Sequence, residues 1–140
     1  MLSNDVARPT QNLVWLLAGL AERVPHTRSA LLLSSDGLRK AAHGLSDDSA
    51  DHLAAISSGL FSLARSAGMK FGSGDQVRQV VAELDDTLLF VSAAGSGAVL
   101  AVIAGKGADP GVLGYEMAQL VKSVRPFLAT PPRPADGTLR

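Results

Sequence analysis

With 140 residues, thirteen basic and thirteen acidic side chains and no cysteine, the chain is long enough for one domain burying roughly two-thirds of its unfolded surface. Disulfides and thiolate metal sites are excluded, in agreement with a reducing compartment. Balanced charge and six aromatic residues exclude the footprint of a nucleic-acid binder, so a partner is met by shape and apolar contact.

The first helix is expected from about Thr10, its cap, to Val24 before Pro25, with Leu13, Leu16, Leu17, Leu20 and Val24 as its core stripe. Residues 1–9 are expected to be a flexible N-terminus. The apolar run Leu13 to Ala21 is followed at once by Glu22 and Arg23 and preceded by Asp5 and Pro9, which suits a helix better than an export signal. No apolar run approaches the roughly twenty residues of a membrane span, so direct insertion is not expected. Trp15 lies about 200° from the stripe at about 100° per residue, so it points away from its own core. Two readings stand: it shields a neighbouring element, or it is a contact in an assembly.

Ser29 to Ser34 and Leu38 to Gly44 form a hairpin through the turn Ser35, Asp36, Gly37. Three successive leucines, Leu31 to Leu33, place apolar groups on both faces, so this hairpin belongs to a sheet covered on both sides. A long helix follows from Ser46 to Gly68, opened by Ser46, Asp47, Asp48 and Ser49 and closed by Arg65 and a left-handed cap at Gly68. Its apolar residues fall in two rows. Leu53, Ile56, Leu60, Leu63 and Ala67 make a narrow seam, and Ala50, Ala54, Phe61 and Ala64 run beside it. The middle turn is Ser57, Ser58, Gly59, and glycine there costs about 1 kcal/mol against alanine. Small residues at mid-helix admit a second helix, so the helix serves either a sheet and a partner helix or a sheet alone.

After the joint Phe71 to Asp75, three strands are expected: QVRQVVAELDD, TLLFVSAAG and AVLAVIAG. The last two are apolar on both faces. The first carries Gln76, Arg78, Gln79 and Glu83, the pattern of an edge strand that must be blunted or paired. Asp109 caps and Pro110 starts the last helix, with the stripe Leu113, Met117, Leu120, Val124 and Leu128 and an end or kink near Val124 set by Pro126. Residues 130–140 have little to bury and are expected to be a disordered tail, leaving 10–129 as the domain.

No complete catalytic or ligand motif emerges. Around Gly105, Lys106, Gly107 a phosphate loop lacks its first glycine, Leu100 standing there, and its final hydroxyl. His26, His43 and His52 share no metal-ligand spacing, and Asp47, Asp48 and Asp51 are explained by helix-dipole compensation. No nucleophile elbow supports a hydrolase. Neither enzymatic activity nor a cofactor is therefore expected.

The order helix, two strands, helix, three strands, helix, with LLLSSDGLRKA, DHLAAISSGLFSLARSAG, VRQVVAELDDTLLFVSAAGSGAVLAVIA and GYEMAQLVKSV, resembles the Roadblock/dynein light chain family in its bacterial MglB-like branch. The resemblance implies an α+β fold: a five-stranded antiparallel sheet with the first and last helices on one face and the central helix on the other. It also implies a homodimer in which the central helices pair and the first meander strand joins its mate. The expected dimer residues are Leu53, Ile56, Ser57, Leu60, Phe61, Leu63, Ala64, Val77 and Gln79. Members commonly bind Ras-like small GTPases as regulators or scaffolds, often beside a sensor-kinase-like protein. The expected function is thus non-enzymatic GTPase regulation, including GTPase activation, in the cytoplasm, with partners supplying any membrane association. Trp15, Arg65 and Lys70 are candidate partner contacts. The alternative is a small-ligand sensor of PAS-like or GAF-like type, disfavoured because the strand interiors offer chiefly Ala, Val and Leu, which pack solid.

Overall fold

A computed structural model describes residues 2–95 and 97–128. The order is α1 (Leu2–Arg23), β1 (Thr27–Ser34), β2 (Arg39–His43), α2 (Asp47–Phe71), β3 (Gln79–Glu83), β4 (Thr87–Ala93), β5 (Ala98–Gly105) and α3 (Pro110–Leu128). The tail, 130–140, lies outside the described residues.

The strands form one antiparallel sheet ordered β2-β1-β5-β4-β3. Five successive buried residues in β1 and in β5 identify the strands covered on both faces. Side chains alternate between two cores. Leu32, Phe90, Leu100 and Val102 meet Leu17 and Leu20 of α1 and Met117 and Leu120 of α3, while Leu31, Leu33, Val91 and Ala101 meet α2. Two helices therefore cover one face and α2 the other. Arg23 Nε donates to Glu116 Oε1 at 2.9 Å and ties α1 to α3, an exposed pair contributing at most about 1 kcal/mol.

Three helix ends differ from the sequence expectation. Helix α1 begins at Leu2, so Thr10 is not its cap. The eight residues before Thr10 are helical as well, with Pro9 withholding its N–H from the ladder. Helix α2 passes Gly68 and ends at Gly72, whose N–H donates to the Gly68 carbonyl at 2.9 Å. Gly68 is required for a different reason: a Cβ there would stand 2.5 Å from the Gly74 carbonyl oxygen. Helix α3 continues through Pro126 to Leu128; the carbonyl that loses its partner there belongs to Lys122, on the exposed side of the helix.

The other caps follow the sequence. Asp109 Oδ1 accepts from the N–H groups of Gly111 and Val112, at 2.9 and 3.2 Å. Ser46 Oγ accepts from Ser49 N–H at 3.1 Å. Ser46→Ala is expected to lower stability by about 1 kcal/mol in urea denaturation. An unchanged midpoint would show that the acids of the first turn start the helix alone.

Candidate partner-binding surface

Helix α2 has two working faces. Ala50, Leu53, Ala54, Ser57 and Phe61 are buried against the sheet. At about 100° per residue the next arc of the same helix carries Ile56, Gly59, Leu60, Leu63 and Ala67. Ile56 is 48% and Leu63 69% exposed, and Leu60 is half-buried. The expected seam is thus divided. Leu53, Ser57 and Phe61, expected at a dimer interface, are taken by the chain's own core, because small Ala50, Ala54 and Ser57 let the helix sit close to the sheet. Ile56, Leu60, Leu63 and half-buried Ala64 remain on or beside the open stripe.

The serine-glycine turn also divides. Ser58 Oγ donates to the Ser35 carbonyl at 3.0 Å and holds α2 to the β1–β2 turn. Gly59 faces open space, with no atom within 4 Å of a Cβ built on it. Of the small mid-helix turn Ser57, Ser58, Gly59, it is therefore the position open to a second backbone.

Strand β3 is an edge, as its polar sequence implies, and among the described residues it pairs only with β4. Val80 and Ala82 turn to the α2 side, and Val77, just before the strand, is half-buried there. Gln79 is exposed and sits opposite Ser92 of β4. On the other side Val81 is 50% exposed, beside exposed Leu84 in the next turn. Neither was singled out in the sequence, where both look like ordinary strand residues.

The three candidate partner contacts do not form one site. Trp15 is 71% exposed on α1, across the sheet from α2. Its hollow is lined by Leu16, Gly19, Glu22 and Arg23. Arg65 of α2 is half-buried, its guanidinium 5.7 Å from the Phe61 ring centroid, and Lys70 is exposed.

Two of the three acids at the start of α2, Asp47 and Asp51, have a structural partner. Arg39 of β2 pairs with Asp47 and Asp51 at 2.8 Å each. Its hydrogen bond to Asp47 holds the guanidinium above its ordinary range. Among the described residues no three His, Asp, Glu or Cys side chains converge in a group able to hold a metal, and no helix is long and apolar enough to cross a membrane.

Residues 13–104 match the family model of the Roadblock/LC7 domain. A Roadblock/LC7 domain from Streptomyces avermitilis is 69% identical, with a TM-score of 0.82 over 84% of this chain and 98% of that one. A second domain of that description and source is 39% identical, with a TM-score of 0.65 over 79% and 96%. The gliding protein MglB from Thermus thermophilus shares the fold at 18% identity, with a TM-score of 0.77 over 86% and 90%. No curated protein matches this sequence.

Proposed function

The chain belongs to the Roadblock/LC7 domain family, and from that premise we propose that it is a homodimeric, non-enzymatic regulator or scaffold of a Ras-like small GTPase in bacterial signalling. The observation that carries this reading is the apolar stripe of α2, exposed Ile56 and Leu63 with half-buried Leu60 between them, beside the open edge of β3. Pairing α2 with α2 of a second copy, and β3 with β3, satisfies both features with one two-fold axis. The paired helices then present a platform to the GTPase. Regulation, including activation, proceeds by moving the GTPase's own groups or by supplying a cation, for which exposed Lys70 is better placed than Arg65. A sensor-kinase-like protein is a further partner, and the assembly works in the cytoplasm or at a membrane surface reached through partners.

The test is nucleotide-dependent binding to the small GTPase encoded nearby, by calorimetry with GDP and with a non-hydrolysable GTP analogue. A complex with one nucleotide state supports the reading, and no complex in any state overturns it.

Trp15 separates partner binding from folding. Its exposed indole covers little of the core, so Trp15→Ala is expected to leave the melting temperature nearly unchanged. It is expected to weaken partner binding by about 2 kcal/mol, as loss of an aromatic anchor does. A large thermal loss with unchanged affinity would reduce Trp15 to a cover for the fold.

A further inference from the structure

The free edge of β3 limits how a second copy can join it. Leu84 N–H donates to the Thr87 carbonyl at 2.8 Å, and the Arg78 carbonyl accepts from Ala93 N–H at 3.1 Å, so both residues turn their backbone groups toward β4. Backbone direction alternates along an antiparallel strand, so Val80 and Ala82, opposite Val91 and Leu89, do the same. Gln79, Val81 and Glu83 therefore turn theirs outward, and β4 is the only strand beside β3 among the described residues. Side chains alternate as well. Val80 and Ala82 lie on the α2 side, while Gln79, Val81 and Glu83 lie on the α3 side, where Gln79 Nε2 stands 4.0 Å from a Cβ built on Gly114.

A two-fold axis normal to the sheet keeps corresponding side chains on one face, so directly opposed residues of the two copies belong to the same alternate set. Placing Val80 opposite its own counterpart leaves Glu83 facing Val77, and placing Ala82 so leaves Gln79 facing Asp85, in both cases beyond the strand. Both registers also set Val81 against a polar side chain, Gln79 or Glu83. Gln79 or Glu83 opposite its counterpart pairs a single residue of the strand, and the second case sets like charges together. Val81 opposite its counterpart pairs all five residues: Gln79 with Glu83, Val80 with Ala82, and Val81 with itself. Every outward N–H and carbonyl of both strands then has a partner. The side chains match too, an amide with a carboxylate and apolar with apolar.

We infer that two copies of this chain join at β3 in one register, with the two-fold axis at Val81, and that Val81 is the contact on the α3 side of the sheet. This rests on the homodimer proposed above and deepens it by fixing which residues meet. Val81 is 50% exposed in the single chain, at the centre of an otherwise polar strand face, and its counterpart covers it. Dimer contact thus spans both faces of the sheet, with Ile56, Leu60 and Leu63 on one and Val81 on the other.

The chain has no cysteine, so one introduced thiol reports one position. Opposed Cα atoms lie about 5.5 Å apart, whereas Gln79 and its counterpart, separated by the strand length from Gln79 to Glu83, lie about 15 Å apart, as do the two Glu83 residues. With a short bifunctional methanethiosulfonate, Val81→Cys is expected to run on a denaturing gel at twice the chain mass. Gln79→Cys alone and Glu83→Cys alone are expected to stay at the single-chain mass, and the two refolded together are expected to link. All three side chains are exposed in the single chain, so the variants keep its packing. Sedimentation velocity of the unmodified chain separates the two readings. A monomer overturns the homodimer and this register with it. A dimer in which Val81→Cys stays unlinked, or in which Gln79→Cys or Glu83→Cys links to itself, keeps the homodimer and overturns the register.

Discussion

Leu63→Glu is expected to turn the proposed dimer into a folded monomer. Leu63 is 69% exposed in the single chain, so the substitution disturbs no packing within it. In a two-fold assembly each interface contains the substitution twice, and two unpaired carboxylates enter apolar surroundings. At about 2 kcal/mol each the loss is about 4 kcal/mol, roughly a thousandfold in dissociation constant. Sedimentation velocity at tens of micromolar should show the change of mass while far-UV circular dichroism keeps its helical signal. A variant that sediments like the wild type, or a wild type that is already monomeric, would remove the stripe from the interface. Gly59→Arg tests the same face through bulk instead of charge.

Two residues earlier the expected result reverses. Phe61 is 8% exposed and fills the core between α2 and the sheet, so Phe61→Ala is expected to cost about 3–5 kcal/mol. Arg65 also loses the ring it rests on. Urea denaturation at fixed protomer concentration, needed because association and folding are linked, should show the lower midpoint. A loss below about 1 kcal/mol would mean that the site collapses around the missing ring. The pair assigns assembly to one residue and folding to its near neighbour.

Much of this surface was legible in the sequence, for reasons that differ by element. The polar residues Gln76, Arg78, Gln79 and Glu83 set this strand apart from the two apolar strands that follow it, and β3 is an edge. Leu31 to Leu33 mark a strand buried on both faces, and β1 is interior to the sheet. Periodicity located the two stripes of α2 without saying which faces the sheet. The sheet takes the row with Ala50, Ala54 and Ser57, where small side chains permit close approach, and leaves Ile56 and Leu63 exposed. Gly68 and Gly72 are equally good helix stops by residue type, and only the return of the chain past Gly74 distinguishes them.

The two edges of the sheet are not equivalent. Strand β2 has five residues, exposes Arg39 and Lys40, and is out of register with β1 between Leu32 and Leu33. Length does not distinguish them, since β3 also has five residues, but cationic side chains and a bulge both discourage a further strand from adding at β2. In the proposed dimer, joined at β3, what remains at both ends is the guarded β2, so edge-to-edge growth stops at two copies instead of running on into a ribbon.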